Sequence, residues 1–534
     1  MRTATLLTSL NRPLLVASVC AGTGLGSVGV TLCPGKWQAV SISGAWQRDL
    51  ATDIDVLRDW GAAAVVTLMP LDELKAVQAD NIGTACETRG IEWHHLPIHD
   101  VDVPDADFET AWLYAGLRLR AHLRAGRNVL LHCRGGLGRS GTIAARLLVE
   151  LGWDAHAAIR AVRAQRPGAI ETRAQESHVL HTQVAPTDES RASRALGCIL
   201  GGAVGDAFGY AIEFDRWGAI CRQHGPLGLR EPVLQRGKLV VSDDTQMTLF
   251  TLEAMAVTLP GQLPPLFAET LARPLQAACR RAYLRWGITQ GINPTLKDTD
   301  PATLHVSPTM RQSRAPGNTC LSAVRAGATG TMMSPDNHSK GCGAVMRTAP
   351  IGLIEKISPE LAMALGDAAG ALTHGHIDGW LPGGALSAMV RLIARGEDIV
   401  PAAHHALRLL AEHPHPDRSA VRASGTVRLL NMALQLLGGT HARSEVFRQL
   451  GEGWTGDEAL AIGVYAAGAA NSFEDAVRLA ANHDGDSDST ASIAGQLYGA
   501  RHGIMAVPHA WVRRLDVLKD ALEVTQRFLD AQGK

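Results

Sequence analysis

Two textures along one chain predict a multi-domain protein: an α/β unit whose parallel sheet is flanked by helices, followed by an all-α unit. Three observations carry this prediction. Residues 41–181 alternate short β-rich apolar runs with helical apolar spacing, the pattern of strands covered on both faces. A polar, proline-containing stretch, "QVAPTDESRASR" (183–194), then breaks the pattern. Beyond it long helical patterns dominate and convincing strands are few. The expected boundaries are 1–184 for the first domain, 185–192 for a connector and 193–534 for the second. A length of 534 residues suffices for two or three domains.

The elements follow in order. Pro13–Gly35 carries no charge and follows Arg2 and Arg12, faintly like a signal peptide. Its glycines at 22, 24, 26, 29 and 35 make poor material for a membrane helix, so a strand or hairpin is expected there. "AAAVVTLM" (62–69) and "NVLLHC" (128–133) are short apolar runs bounded by Gly or polar residues, and read as strands. "DADFETAWLYAGLRLRAHLRAG" (105–126) and "RSGTIAARLLVELG" (139–152) have helical spacing. In the second part "ALGCILGGAVGDAFGYAIEF" (195–214), "TVRLLNMALQLLGG" (426–439) and "DALEVTQRFLDAQ" (520–532) read as helices.

Composition narrows the function classes. The chain is 46% hydrophobic and 19% charged, ordinary for a globular protein with sizeable cores. A formal net charge of −1 argues against a global basic surface for nucleic acid, though not against a local patch. Nine cysteines without CxxC spacing suit a reducing compartment better than a disulfide framework or a zinc site. A cytoplasmic protein with no membrane partner is expected; the oligomeric state is not legible.

The first chemical signal is "VLLHCRGGLGRSGT" (129–142), with the spacing C-x5-R-[ST]. A strand delivers Cys133, and Arg134, Gly135, Gly136, Leu137 and Gly138 form a loop whose backbone N–H groups can cradle a phosphate. A helix begins near Arg139. That positive setting favours a thiolate at Cys133, able to attack phosphorus. Arg139 can grip two phosphate oxygens in a fork, and Ser140 can hydrogen-bond the sulfur as it leaves. An acid must protonate the departing oxygen, and "LPIHDVDVPD" (96–105) offers Asp100, Asp102 and Asp105.

These segments, with "ISGAWQRDLATDIDVLRDWGAAAVVTL", "HHLPIHDVDVPD" and "RPGAIETRAQ", make residues 35–180 resemble an atypical dual-specificity protein phosphatase of the cyclin-dependent-kinase-inhibitor-associated type. The resemblance implies an α/β cysteine-phosphatase fold with Asp100 as the general acid. It also implies that Gln175 helps position the attacking water.

The second signal is carboxylate density. Ser242-Asp243-Asp244-Thr245 and Asp486-Ser487-Asp488-Ser489 each precede an apolar helix. One cap needs one such residue, not two adjacent acids. Two distant segments with two carboxylates and a hydroxyl each make a cage for hard cations, and four carboxylates balance two divalent ions. Ala491, Gly495 and Gly499 recur every four positions, permitting close helix packing behind the site. Asp206 and Glu213, seven apart, are expected on one helix face, where either could reach the cavity.

"LGCILGGAVGDAFGYAIEF", "VVSDDTQMT", "SRAPGNTC", "NHSKGCGAVMRTAPIGL", "THGH" and "NHDGDSDSTASIAGQLYGA" make residues 193–534 similar to the ADP-ribosylglycohydrolase family. The resemblance implies an all-α fold with two Mg2+ ions, Mn2+ being a possible substitute. Implied ligands are Ser242, Asp243, Asp244, Asp486, Asp488 and Ser489, the two outer serines standing where other members often have threonine. Glu213 would be a gating or substrate-contacting acid, and Gly341, Gly343 and Ala344 would lie around the diphosphate or distal ribose. Metals on the ribose 2″ and 3″ hydroxyls would orient a water onto C1″. Asp486 and Glu213 are the candidate catalytic carboxylates for an oxocarbenium-like transition state. Of His374 and His376, two apart, His374 is the better candidate for substrate contact.

The expectation is a bifunctional hydrolase acting on ADP-ribosylated and phosphorylated substrates. The alternative is an ADP-ribosyl hydrolase whose phosphatase-like domain mainly binds phosphate or targets the enzyme. The acceptor could be protein, nucleic acid or a small molecule, and the phosphate ester could belong to a protein or a metabolite.

Overall fold

The computed structural model describes residues 6–40, 44–259, 268–296 and 300–533. The chain divides into two compact units, Met1–Glu189 and Ser190–Lys534.

In the first unit seven strands are described: β1 (Ala17–Cys20), β2 (Ser27–Leu32), β3 (Trp37–Gln38), β4 (Trp46–Gln47), β5 (Ala62–Thr67), β6 (Glu92–His95) and β7 (Asn128–Cys133). The main sheet has the order β1-β2-β7-β5-β6, and β3 pairs with β4 separately. All main-sheet pairs are parallel except the β1–β2 edge hairpin, which the glycine-rich 13–35 segment forms. Helices α1 (Leu50–Asp59), α2 (Leu71–Ala76), α3 (Ile82–Glu87), α4 (Ala106–Arg124), α5 (Gly138–Glu150), α6 (Ala155–Gln165) and α7 (Arg173–Leu180) accompany it. Central β7 is buried from Val129 to Cys133, which is why it reads as an unbroken apolar run rather than an alternation. Register pairs Leu32 with Cys133 and Thr67 with His132, so three strands end together. The loops leaving those carboxyl ends therefore converge, the usual ligand position in parallel sheets.

The second unit is helical: α8 (Ser190–Tyr210), α9 (Trp217–His224), α10 (Asp243–Thr258), α11 (Ala268–Thr289), α12 (Asn318–Arg325), α13 (Pro359–Ala371), α14 (Ile377–Ala394), α15 (Ile399–Ala411) and α16 (Arg418–Arg422). It continues with α17 (Gly425–Leu437), α18 (Arg443–Leu450), α19 (Gly456–Ala469), α20 (Phe473–Ala481), α21 (Ser487–His502), α22 (His509–Val512) and α23 (Leu518–Ala531). Helix α8 opens at Ser190, inside the 185–192 segment. Among the described residues no helix is long and apolar enough to cross a membrane.

Helices α8 and α21 run antiparallel with their backbones nearly touching. A Cβ on Gly197 would lie 2.2 Å from the Gly499 carbonyl oxygen, and one on Gly201 would lie 2.6 Å from that of Gly495. The same atom on Gly205 or Gly209 would lie 2.1 Å from the carbonyl oxygen of Ala491 or Ser487. The four-residue spacing of small residues on α21 thus meets an equal ladder on α8. This approach brings Asp206 on α8 beside the acidic start of α21.

Gly205→Ala should therefore destabilise the second unit by about 1–3 kcal/mol, the usual cost of overpacking. Gly218→Ala in α9, whose Cβ would meet only Arg222 Nη1 at 3.5 Å, should cost nothing. Denaturant unfolding of both variants checks this; equal stability would show that the ladder is not under steric constraint.

Candidate active sites

In the first unit β7 ends at Cys133 and the chain turns through 134–137 into α5. Gly136 has φ of 70°, and a Cβ there would lie 2.5 Å from the Thr31 carbonyl, so only glycine fits. Arg166 donates from Nε to the Gly136 carbonyl and from Nη2 to the Gly135 carbonyl, both at 2.9 Å. Planar trans peptides then leave the N–H groups of Leu137 and Gly136 on the opposite side of the loop. Buried Cys133 lies with Sγ 3.3 Å from Ser140 Oγ.

The buried Arg139 guanidinium is held on several sides. It forks onto the Glu73 carboxylate at 3.0 and 3.1 Å and donates to the Ile98 carbonyl at 3.0 Å. Its Nη2 lies 3.0 Å from Asp100 Oδ1. Sequence reasoning missed Glu73, Arg166 and Lys36, which come from segments far from the loop. Lys36 donates to the Arg134 carbonyl at 3.4 Å and sits 4.6 Å over the Trp46 ring. A pocket of about 740 Å³ opens over Cys133, lined also by Arg12, Trp46, Asp100, Arg134 and Glu171.

The three acids of the 96–105 loop separate by geometry. Asp105 caps α4, accepting from Phe108 N at 2.8 Å. The Asp102 side chain accepts from its neighbour Val103 N at 2.9 Å. Asp100 is exposed, lines the pocket and faces Arg139. Val101 between them has φ of 60°, uncommon for a β-branched residue and a local strain in this loop. Fully buried Gln175 accepts from Glu171 N and Thr172 N and donates to the Asp102 carbonyl at 3.1 Å. It therefore acts as a strut between α7 and the acid loop, with both ends of its amide occupied.

Beneath the loop, His132 Nε2 meets Thr67 Oγ1 at 2.7 Å. Burial, with the His95 and Arg139 charges behind it, pushes His132 down to about 3. The folded state thus keeps this ring neutral while the unfolded chain takes up a proton near pH 6.5. The stability it allows is intact above pH 6.5 and falls as pH drops from there toward 3, by about 1.4 kcal/mol per unit. His132→Gln, which can keep the Thr67 bond, should lose about 2 kcal/mol less between pH 7 and pH 5 in urea unfolding. An unchanged pH dependence would contradict this assignment.

In the second unit three separate segments bring carboxylates together. Fully buried Asp206 accepts from Ser242 N at 2.9 Å and Thr245 N at 3.0 Å, and from the Thr245 hydroxyl. It fixes the start of α10, so its carboxylate is largely committed to positioning. Ser242 caps α10, accepting from Asp244 N at 3.1 Å, while Asp243 Oδ2 accepts from Gly317 N at 3.2 Å. Asp486 caps α21, accepting from Ser489 N at 3.2 Å, and Asp488 accepts from the same N–H at 2.9 Å. Capping and clustering coexist here: the acids do serve the helix starts, yet Asp244 Oδ2 and Glu213 Oε2 are buried without a hydrogen-bond partner among the described residues.

The expectation that Asp206 and Glu213 share a helix face fails. Helix α8 stops at Tyr210, and the chain tightens through a turn in which Ile212 N donates to Gly209 O at 2.9 Å. Glu213 lies beyond that turn, and it still belongs to the cluster. Burial first, then the Asp488, Asp486 and Asp243 charges, raise it to about 10. Burial and the Asp488 charge raise Asp206 to about 7. Asp243, Asp244 and Asp486 are likewise pushed well above the usual carboxylate range by burial and then by Asp488. A divalent cation would offset like charges this crowded, and the orphaned Asp244 Oδ2 is a donor such an ion could use.

Sequence reasoning also missed Cys342, whose thiol donates to Asp486 Oδ2 at 2.7 Å. Ala344 is fully buried, and Gly341 opens the 3-10 turn Cys342–Arg347. A Cβ on Gly343 would come within 3.0 Å of the His374 ring, so that turn packs directly on the histidine. His374 Nδ1 meets Thr373 Oγ1 at 2.8 Å, and burial with the Arg347 charge lowers it to about 3. It is a neutral support under the glycine turn. His376 instead caps α14, accepting from Asp378 N at 3.1 Å.

Comparison with known proteins matches both halves. Residues 187–534 match the ADP-ribosylglycohydrolase family model, and residues 39–179 match that of the Swiss Army Knife protein, DSP-PTPase phosphatase domain. An ADP-ribosylarginine hydrolase of Pseudomonas putida is 24% identical over 358 residues, covering 64% of this chain and 80% of that protein. An ADP-ribosyl-(dinitrogen reductase) glycohydrolase of Rhodospirillum rubrum is 25% identical over 338 residues, covering 62% of this chain and 93% of that protein. Cyclin-dependent kinase inhibitor 3 of Rattus norvegicus is 33% identical over 105 residues, covering 20% of this chain and 48% of its own, about half its length.

Proposed function

Because the chain belongs to the ADP-ribosylglycohydrolase family and carries a dual-specificity phosphatase domain ahead of it, we propose that it cleaves two kinds of bond at two independent sites. The second unit removes ADP-ribose from a modified acceptor at C1″. The first hydrolyses phosphate esters through a Cys133 phosphocysteine. The observation that carries the reading is the convergence of three carboxylate-bearing segments in one unit and of thiol, guanidinium and acid in the other.

ADP-ribosylglycohydrolases are metal-dependent, and Ser242, Asp243, Asp244, Asp486, Asp488 and Ser489 would hold two Mg2+ or Mn2+ ions here. Bound ions would supply Lewis acidity at the ribose hydroxyls and at the attacking water. Asp206 holds the α10 start in register with α21. Cys342 orients Asp486 by its S–H bond. Asp486 would take the water's proton and offset the positive charge developing at C1″, with Glu213 beside it as a substrate-contacting acid. Gly341 and Gly343, kept low by His374, leave room for the diphosphate or distal ribose. ADP-ribosylarginine is the first acceptor to test, since one relative bears that name.

In the first unit Cys133 Sγ attacks phosphorus and the ester oxygen leaves with a proton from Asp100. Asp100 releases Arg139 Nη2 as a phosphate oxygen takes its place there, while Glu73 keeps its fork on the guanidinium. Asp100 then accepts a proton from water, which breaks the S–P bond and frees phosphate, while Ser140 Oγ donates to the departing thiolate.

Cys133→Ser should abolish phosphatase turnover, by about 10³-fold or more, with ADP-ribose release intact. Asp486→Asn and EDTA should do the reverse. Asp100→Asn should hurt most with poor leaving groups. Residual phosphatase activity of a few per cent in Cys133→Ser, or leaving-group dependence in Asp102→Asn instead, would contradict these roles.

A further inference from the structure

The pocket over Cys133 gathers more positive charge than one phosphate needs. Six cations line it: Arg12, Lys36, Arg48, Arg134, Arg139 and Arg166. Two are balanced, Arg48 by Asp53 and Arg139 by Glu73 and Asp100. The remaining four are not. The Arg12 and Arg134 side chains make no hydrogen bond or ion pair among the described residues, and Arg166 spends only Nε and Nη2, on loop carbonyls. Lys36 has the Arg134 carbonyl as its hydrogen-bond acceptor. Against these four stands one uncommitted carboxylate, Glu171. Burial pushes the Lys36 ammonium below the ordinary lysine value, and the Arg134 and Arg48 charges add to it. Cations converging on a cleft without counter-ions raise its potential and select anions.

Size and shape agree. About 740 Å³ is far more than a single phosphate occupies and falls within the range of small-molecule sites. Trp46, the aromatic ring in the lining, is 5% exposed and has Lys36 over it, so its face is not available to stack a phosphotyrosine ring.

We propose that Arg12, Lys36, Arg134 and Arg166 form a second anion subsite beside the Cys133 loop, and that the phosphatase takes a small molecule bearing two or more phosphates. This rests on Cys133 being the nucleophile. The cleaved phosphate sits in the 133–139 loop while a second, retained phosphate lies against the four cations. Arg12, on the exposed segment before β1, is the group whose loss disturbs the fold least.

The test compares kcat/KM of the full chain on inositol 1,4-bisphosphate, ADP-ribose 1″-phosphate, p-nitrophenyl phosphate and singly and doubly phosphorylated tyrosine peptides. At least one bisphosphorylated small molecule should exceed the singly phosphorylated peptide by tenfold or more. The first two probes separate an inositol-type from a nucleotide-type source. Arg12→Ala should lower kcat/KM for that substrate by fivefold or more, with p-nitrophenyl phosphate turnover changed less than twofold and Arg12→Lys recovering part of the loss. Preference for either peptide, or equal losses on all substrates in Arg12→Ala, would overturn the proposal. Turnover surviving in Cys133→Ser would instead overturn the nucleophile assignment beneath it.

Discussion

Each unit concentrates charge of one sign and leaves it without an equal opposite charge. In the first, once the paired Arg48 and Arg139 are set aside with Asp100, four cations face one carboxylate, Glu171, in the pocket over Cys133. In the second, Asp206, Glu213, Asp243, Asp244, Asp486 and Asp488 crowd together, and burial with mutual repulsion raises five of them. Uncompensated charge in a protein interior, as in the carboxylate cluster, costs several kcal/mol, and cations lining a cleft without counter-ions raise its potential, so each arrangement favours a ligand of opposite sign. Under the proposed function, phosphate would fill that role for one unit and divalent cations for the other.

The scaffolds exist to impose that crowding. In the helical unit, repulsion would drive α8 and α21 apart at their acidic ends. The glycine ladder opposes this by letting backbones meet where side chains would hold them off, and the core packed around it keeps them there. In the α/β unit the parallel register brings the carboxyl ends of β2, β7, β5 and β6 together, so the segments carrying Lys36, Cys133, Glu73 and Asp100 converge. Glu73 and Arg166 then fix the loop and its arginine from opposite sides.

Much of this is legible in the amino-acid sequence. The Cys133 loop announces itself because strand, turn and helix start are contiguous. The 242–245 and 486–489 clusters do so because two acids within four residues exceed what capping requires. What stayed hidden depends on tertiary neighbours. The spacing of Ala491, Gly495 and Gly499 signalled close packing, yet its partner ladder on α8 was read only as helix. Spacing alone leaves the acids at 100, 102 and 105 alike; the family resemblance points to Asp100, and helix capping by Asp105 and the Arg139 contact of Asp100 separate them physically. The period that placed Glu213 on the face of Asp206 assumed a helix that in fact ends at Tyr210. Cys342 carried no motif of its own, and its role follows from where Asp486 comes to rest.

The central claim is that crowded carboxylates in the second unit exist to be neutralised by cations. Calorimetric titration of the metal-free chain with Mn2+ tests it most directly. The account predicts two ions per chain for the native sequence and a lower stoichiometry for Asp486→Asn and Asp488→Asn. Saturable binding that is unchanged in both variants, or no binding at all, would contradict it.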